Sequence, residues 1–214
     1  MQDIFEQVDE HLEAERLQKW WEANRQRLLA GLVLFFLLLF AYVGWREYRV
    51  RQDHAASEQF MMLQDQFSRQ DLDRGHRSFQ ALQQDHSEHG YALFGRFLQA
   101  RELAVAGNRD GALAQLALLV KESGSTLLTD LALLNAAYLT AGEEGRAEPF
   151  LTRMDPRSPY RAHALELQGL LAAQRGDQQT AATRYREARA AAVDGSLRSR
   201  LESRLERMEG EEKK

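Results

Sequence analysis

The residues best suited to chemistry lie in one short segment, Asp85-His86-Ser87-Glu88-His89. Histidine nitrogens and carboxylate oxygens bind divalent metal ions, and two histidines three residues apart can share one face of a helix. The segment falls at a junction between predicted helices that is rich in glutamine and aspartate, and it lacks a convincing third ligand. We interpret it as a solvated turn, so the sequence predicts no metal site.

Other catalytic patterns are missing from the sequence. It contains no glycine-rich phosphate loop, no Gly-x-Ser-x-Gly elbow and no paired-carboxylate motif. Cysteine is absent, which excludes disulfides and thiol chemistry and fits an oxidising compartment. The net charge of −4 gives no basic footprint for nucleic acid. We therefore predict no catalytic residue, no cofactor and no nucleic-acid partner, and we expect that the protein is not an enzyme.

Residues 28–45 form an apolar segment without a single charge. As a helix this segment would be about 27 Å long, slightly shorter than a hydrocarbon core of about 30 Å. Aromatic residues extend it on both sides, as is typical at the two membrane interfaces. These flanking aromatics are Trp20, Trp21, Tyr42, Trp45 and Tyr48. A buried core helix would carry a polar stripe, which is absent, so we predict a membrane-spanning helix.

A cleaved secretory signal is the competing interpretation of the apolar segment. The sequence after Phe40 offers no Ala-x-Ala cleavage pattern, which favours an uncleaved anchor. Four cations precede the span closely and three follow it, a small bias toward a cytoplasmic N-terminus. These cations are Arg16, Lys19, Arg25 and Arg27 before the span and Arg46, Arg49 and Arg51 after it. We predict a cytoplasmic segment at residues 1–27, an anchor at 28–45 and a domain at 46–214 on the other side.

The segment before the span has the pattern of an amphipathic helix over residues 1–24. Ile4, Val8 and Leu12 are four residues apart, with acidic residues between them. This helix would either lie at the interface and bind a partner, or be a partly disordered acidic tail. Its acidic face differs from the Lys/Arg-rich face that binds anionic lipid, which favours a protein partner.

The chain beyond residue 46 has the composition of an all-α domain. It is rich in Ala, Leu, Gln, Glu and Arg, has three prolines and shows no alternating apolar pattern. The breaks between apolar periods predict helices at 46–69, 75–87, 90–106, 109–121, 126–141, 144–154, 159–175, 177–191 and 196–209. Short turns between such helices produce antiparallel hairpins.

Three of the predicted turns repeat at a nearly constant period. Gly107, Gly142 and Gly176 are 35 and 34 residues apart. Alanine follows each glycine by five residues, at Ala112, Ala147 and Ala181, and a large apolar residue follows by nine, at Leu116, Leu151 and Tyr185. Small residues allow paired helices to approach closely, and we expect Ala181 to lie at such a crossing, facing Gly169.

This pattern resembles the tetratricopeptide repeat, a helix-turn-helix unit of 34 residues that stacks into a solenoid. We expect residues 46–87 to form a further, degenerate hairpin that connects the span to the repeats. The apolar stripe of Leu197, Leu201 and Leu205 predicts a capping helix with a solvated outer face. Pro149 departs from the pattern, because it falls early in the second helix of the middle repeat and permits only a late helix start.

The whole arrangement resembles the YfgM family, ancillary subunits of the bacterial SecYEG translocon. The resemblance rests mainly on residues 19–25, on the Gly44-Trp45-Arg46-Glu47-Tyr48 flank and on the segment from Gly169 to Ala182. It implies a single-pass inner-membrane protein with a periplasmic repeat domain. The implied partners are SecYEG, a membrane-anchored chaperone similar to PpiD, and newly exported, unfolded polypeptides.

The repeat pattern also predicts a binding surface on the concave side of the first helices. The candidate residues are Phe94, Phe97, Arg101, Val105, Leu139, His163, Glu166 and Leu170. They would form a groove for extended polypeptide, with apolar side chains supplying burial and Arg101 and Glu166 supplying polar contacts. Alternatively, Phe94, Phe97 and Leu170 are ordinary packing residues that the amino-terminal hairpin covers. A second possible function is that of a structural scaffold, which assembles another inner-membrane or envelope complex without binding clients.

Overall fold

The computed structural model describes residues 3–87 and 89–212. This part of the chain consists of nine helices without a strand, which confirms the all-α prediction. The helices are α1 (Asp3–Ser68), α2 (Leu72–Asp85), α3 (Gly90–Val105), α4 (Arg109–Glu122), α5 (Thr126–Thr140), α6 (Glu148–Arg153), α7 (Arg161–Gln174), α8 (Gln178–Ala191) and α9 (Gly195–Glu212). The side chains of Ile4, Val8 and Leu12, on which the amphipathic interpretation depends, lie outside the described part.

The chain divides into two compact units, one ending at Ala55 and one beginning at Ala56. Within the first unit, α1 contains a segment that is long and apolar enough to cross a membrane. Its apolar side chains, including Phe40 and Leu38, are exposed, as lipid-facing side chains must be. The guanidinium carbon of Arg49 lies 5.3 Å from the Trp45 ring centroid, a cation–π contact at the end of the apolar segment.

The second unit is a series of four helical hairpins followed by a single helix. The last turns of α1 pair with α2, α3 with α4, α5 with α6, and α7 with α8, while α9 packs on α8. The first pair shares a core of Leu63, Phe67, Phe79 and Leu82, so the degenerate hairpin is present. Leu197, Leu201 and Leu205 are buried against α7 and α8, as expected for a capping helix.

Three of the four hairpin turns have the same backbone geometry. The backbone N–H of Gly107 donates to the carbonyl of Ala104, and that of Asn108 donates to the carbonyl of Leu103. Gly107 has φ +82°, the left-handed conformation that ends many helices. Equivalent bonds close Gly176-Asp177 and Gln70-Asp71. The residue after each left-handed position then caps the next helix through its side chain.

The turn of the third hairpin, between α5 and α6, differs from the other three. The left-handed residue is Gly145, with φ +74°, rather than the predicted Gly142. The second helix consequently begins at Glu148, not at residue 144, and it ends at Arg153 after only six residues. Pro149 lies in its first turn, where a missing N–H costs nothing, whereas further inside the helix it would clash with the preceding turn. The predicted range of 144–154 is therefore too long.

The second helices of all four hairpins nevertheless share one packing register. Ala112, Ala147 and Ala181 are fully buried, and Gly75 is buried at the corresponding position of the first hairpin. Four residues later in each helix comes a buried large side chain: Phe79, Leu116, Leu151 and Tyr185. The atoms nearest to a Cβ at Gly169 belong to the ring of Tyr185, so this ring also packs at the crossing, where the contact of Ala181 with Gly169 stays a prediction.

Candidate functional site

The eight predicted surface residues lie on the first helices of three successive hairpins. Phe94, Phe97, Arg101 and Val105 are on α3, Leu139 is on α5, and His163, Glu166 and Leu170 are on α7. In a solenoid of helical hairpins, the first helices line the concave side, which is where these residues are predicted to lie. Their exposure and contacts differ widely from one residue to the next.

On α3, two apolar side chains are open to solvent. Phe94 is 47% exposed and its ring centroid lies 6.4 Å from that of Phe60, while Val105, the last residue of α3, is 79% exposed. Phe97 is half-buried in the core between α3, α4 and α5. Arg101 is exposed, and its Nε and Nη2 donate to Oε1 of the neighbouring Glu102 at 2.9 and 2.6 Å.

The apolar candidates on α5 and α7 are only partly available. Leu139 is half-buried against the α3–α5 core, and Leu170 is half-buried against the core formed by α5, α6 and α7. His163 is also half-buried. Leu139 and Leu170 therefore combine a packing contact with a remaining exposed surface.

Glu166 is the polar candidate whose surroundings only the structure reveals. It is 7% exposed and accepts two hydrogen bonds from the Arg200 guanidinium on α9, each 2.9 Å long. Nε of Arg204, one helical turn further, lies 3.8 Å from the same carboxylate. A bidentate arginine–carboxylate pair fixes both groups in one plane. Glu166 therefore orients Arg200 of the capping helix and lies close to Arg204, although the sequence predicts a solvated outer face for that helix.

Two tyrosines complete this group, which we call the Glu166 cluster (Tyr138, Glu166, Tyr185, Arg200 and Arg204). Burial raises the pKa of the Tyr138 hydroxyl above its usual value, and the Glu166 carboxylate raises it further. Burial also raises the pKa of Tyr185, whose ring centroid lies 5.7 Å from the Arg204 guanidinium carbon. Both phenols thus stay protonated and can donate hydrogen bonds at neutral pH.

The Glu166 cluster is partly open to solvent. Two guanidinium groups face one carboxylate, and Tyr138 and the Arg200 side chain remain 47% and 49% exposed. The cluster can therefore contact acidic or polar groups of a polypeptide. Sequence reasoning missed Arg200 and Arg204; the available signal was their spacing of four residues on α9, which aligns them along one helix face.

The histidine segment shows no metal-like geometry in the described part of the chain. No group of three or more possible ligands occurs among the described residues, and Glu88 lies outside them. The rings of His86 and His89 meet edge-on at 6.2 Å, and His89 stacks on Tyr91 at 6.1 Å. The histidines are thus involved in aromatic packing at the start of α3.

Comparison with known proteins agrees with this architecture. The family model of the tetratricopeptide repeat-like domain matches residues 18–210, which is most of the chain. No curated protein and no solved structure gives a match. Domains of this kind are protein-interaction folds, which agrees with a surface of packing and recognition groups. The chain belongs to the tetratricopeptide repeat-like domain family.

Proposed function

We propose that this protein is an ancillary subunit of the SecYEG translocon that binds protein partners beside the membrane. In this proposal the chain is anchored in the bacterial inner membrane by residues 28–45, with residues 1–27 in the cytoplasm and residues 46–214 in the periplasm. Its partners are SecYEG, a membrane-anchored chaperone similar to PpiD, and newly exported polypeptides. Support comes from the apolar segment of α1, the interaction fold and the resemblance to the YfgM family.

The observation that carries the proposal is the exposure of apolar and aromatic side chains on successive first helices. Phe94 and Val105 on α3 and Tyr138 on α5 are all more than two-fifths exposed. Aromatic residues are enriched at protein–protein interfaces, and two of these three exposed side chains, Phe94 and Tyr138, are aromatic. Glu166 on α7, another first helix, holds Arg200 of α9, whose guanidinium can contact polar groups of a partner.

Crosslinking in living cells tests this surface. A photoreactive amino acid at Phe94, Val105 or Tyr138 should capture secretory chains, the chaperone or SecYEG subunits. The same amino acid at Arg189, an exposed position on α8, serves as the matched control. Capture of an unrelated envelope complex, without secretory chains, would support the scaffold alternative instead. Equal crosslinking from Arg189 would show that the first-helix surface is not a specific binding site.

Protease accessibility tests the proposed topology. Protease added to spheroplasts should degrade the repeat domain and leave a small fragment that contains residues 28–45. Full protection of the domain would overturn the orientation. A soluble product that begins near Arg46 would show that the segment is a cleaved signal rather than an anchor.

A further inference from the structure

The short helix α6 leaves an open groove between the second and third hairpins. The second helices α2, α4 and α8 each have 14 residues, whereas α6 has six. A cavity of about 350 Å³ lies where α4, α5 and α6 meet, and a wider depression of about 810 Å³ adjoins it. The two share Val120, Lys121 and Arg153 in their lining, so they form one continuous groove.

The two parts of the groove have different chemistry. The smaller cavity is lined mainly by apolar residues, among them Leu113, Ala117 and Phe150. Lys121 and Arg153 stand where the two parts join; both are exposed, and neither has an ion-pair partner in the part of the chain that the structure describes. Two uncompensated cations beside an apolar cavity favour a ligand that carries acidic groups next to apolar ones.

The wider depression contains an incompletely bonded buried carboxylate. Asp130 is 2% exposed, and its Oδ1 accepts the backbone N–H of Asp155 at 3.2 Å. Its Oδ2 has no hydrogen-bond partner among the described residues. A buried carboxylate oxygen without a donor is costly, but Oδ2 has no accessible surface, so Asp130 shapes the groove through its bond to the Asp155 backbone and is not itself a ligand contact. The two cations favour a peptide, because an acidic peptide can offer one carboxylate to each of Lys121 and Arg153, whereas a fatty acid carries a single carboxylate.

We infer that the groove between α4, α5 and α6 binds an extended peptide segment in which apolar and acidic residues alternate. An apolar side chain of the peptide enters the cavity beside Phe150, and its acidic neighbours pair with Lys121 and Arg153. This site does not involve the first-helix surface of the proposed function. Its failure or success is therefore independent of binding at Phe94, Val105 or Tyr138.

The test measures binding of a short labelled peptide, in which leucine and glutamate alternate, to the full chain in phosphatidylcholine nanodiscs. Fluorescence anisotropy should show saturable binding, and the same peptide with lysine in place of glutamate should not bind. Lys121→Glu and Arg153→Glu should each weaken binding by about tenfold. Ala117→Trp, which fills the exposed side of the cavity, should abolish it.

Arg189→Glu is the matched control, because it reverses an exposed cation on α8 that does not line the groove. It should leave peptide affinity unchanged, and circular dichroism should show that every variant retains its helix content. Equal binding of the lysine peptide, or unchanged affinity in the two charge-reversal variants, would overturn the inference. Tighter binding of a fluorescent fatty acid, lost in the same variants, would overturn it in favour of a lipid ligand.

Discussion

The ring of Tyr185 on α8 occupies the space that a side chain at Gly169 on α7 would need. A Cβ atom at residue 169 would lie 2.6 Å from Cε1 and 2.7 Å from Cδ1 of the ring. Tyr185 is itself 3% exposed and is held within the core of α7, α8 and α9. The close approach of the two helices in the fourth hairpin therefore depends on glycine at this position.

Gly169→Ala should destabilise the protein by about 1 to 3 kcal/mol, because the packed ring must move to admit one methyl group. Urea unfolding of the detergent-solubilised chain, followed by circular dichroism, measures this change. Gly142→Ala is the control, since no atom lies within 4 Å of the added Cβ there. Equal stability of the two variants would contradict the contact between Gly169 and Tyr185.

Ala181→Leu should also destabilise the chain, by about 1 to 3 kcal/mol, because three carbons are added at a fully buried position. Ala190→Leu makes the same chemical change on the exposed side of α8 and should alter the free energy of unfolding by no more than about 0.5 kcal/mol. The difference between the two variants in urea unfolding is the decisive quantity. An unchanged midpoint for Ala181→Leu would refute the packing register of the repeats.

Gln70→Gly should stabilise the protein by about 1 kcal/mol, since glycine adopts the left-handed conformation without the steric cost that a side chain brings. Gln70 has φ +61° at the turn position that glycine occupies at 107 and 176. The reverse change, Gly176→Ala, should destabilise by a similar amount. Thermal unfolding of both variants checks the pair, and a loss of stability in Gln70→Gly would show that the glutamine side chain contributes a compensating contact.

At acidic pH, the free energy of unfolding should depend on Asp177, the residue that caps α8. The side chain of Asp177 accepts the backbone N–H of Thr180 at 2.9 Å, and this bond holds the pKa of Asp177 below its usual value. A carboxyl group whose pKa is lower in the folded state stabilises the fold above its unfolded pKa. That stabilisation is lost as the pH falls through the folded pKa.

Asp177→Asn keeps the capping oxygen and removes the charge, as the natural cap Asn108 does for Gly111. Below about pH 4, we expect the unfolding temperature of this variant to fall less steeply than that of the unsubstituted chain. Thermal unfolding across the acidic range measures the two slopes. Superimposable slopes would mean that the ionised carboxylate contributes nothing beyond the hydrogen bond that asparagine also accepts.

Several features of this protein follow from local physics and could be predicted from its sequence. An apolar segment without charge predicts a span because polar groups are costly in hydrocarbon. Alanine at Ala112, Ala147 and Ala181 indicated the packing register because small residues are needed wherever paired helices approach closely. Glycine at 107 and 176 marked two turns correctly, since few other residues accept the left-handed backbone.

Three other features depend on tertiary contacts: the turn at Gln70, the length of α6 and the surroundings of Glu166. Gln70 carries no local signal for a left-handed turn; we attribute its conformation to the packing of Phe67 and Leu63 on α2. Glu166 pairs with Arg200 across 34 residues, a distance at which sequence periodicity cannot identify a partner. The groove beside α6 likewise exists only because three separate helices meet around a helix that ends early.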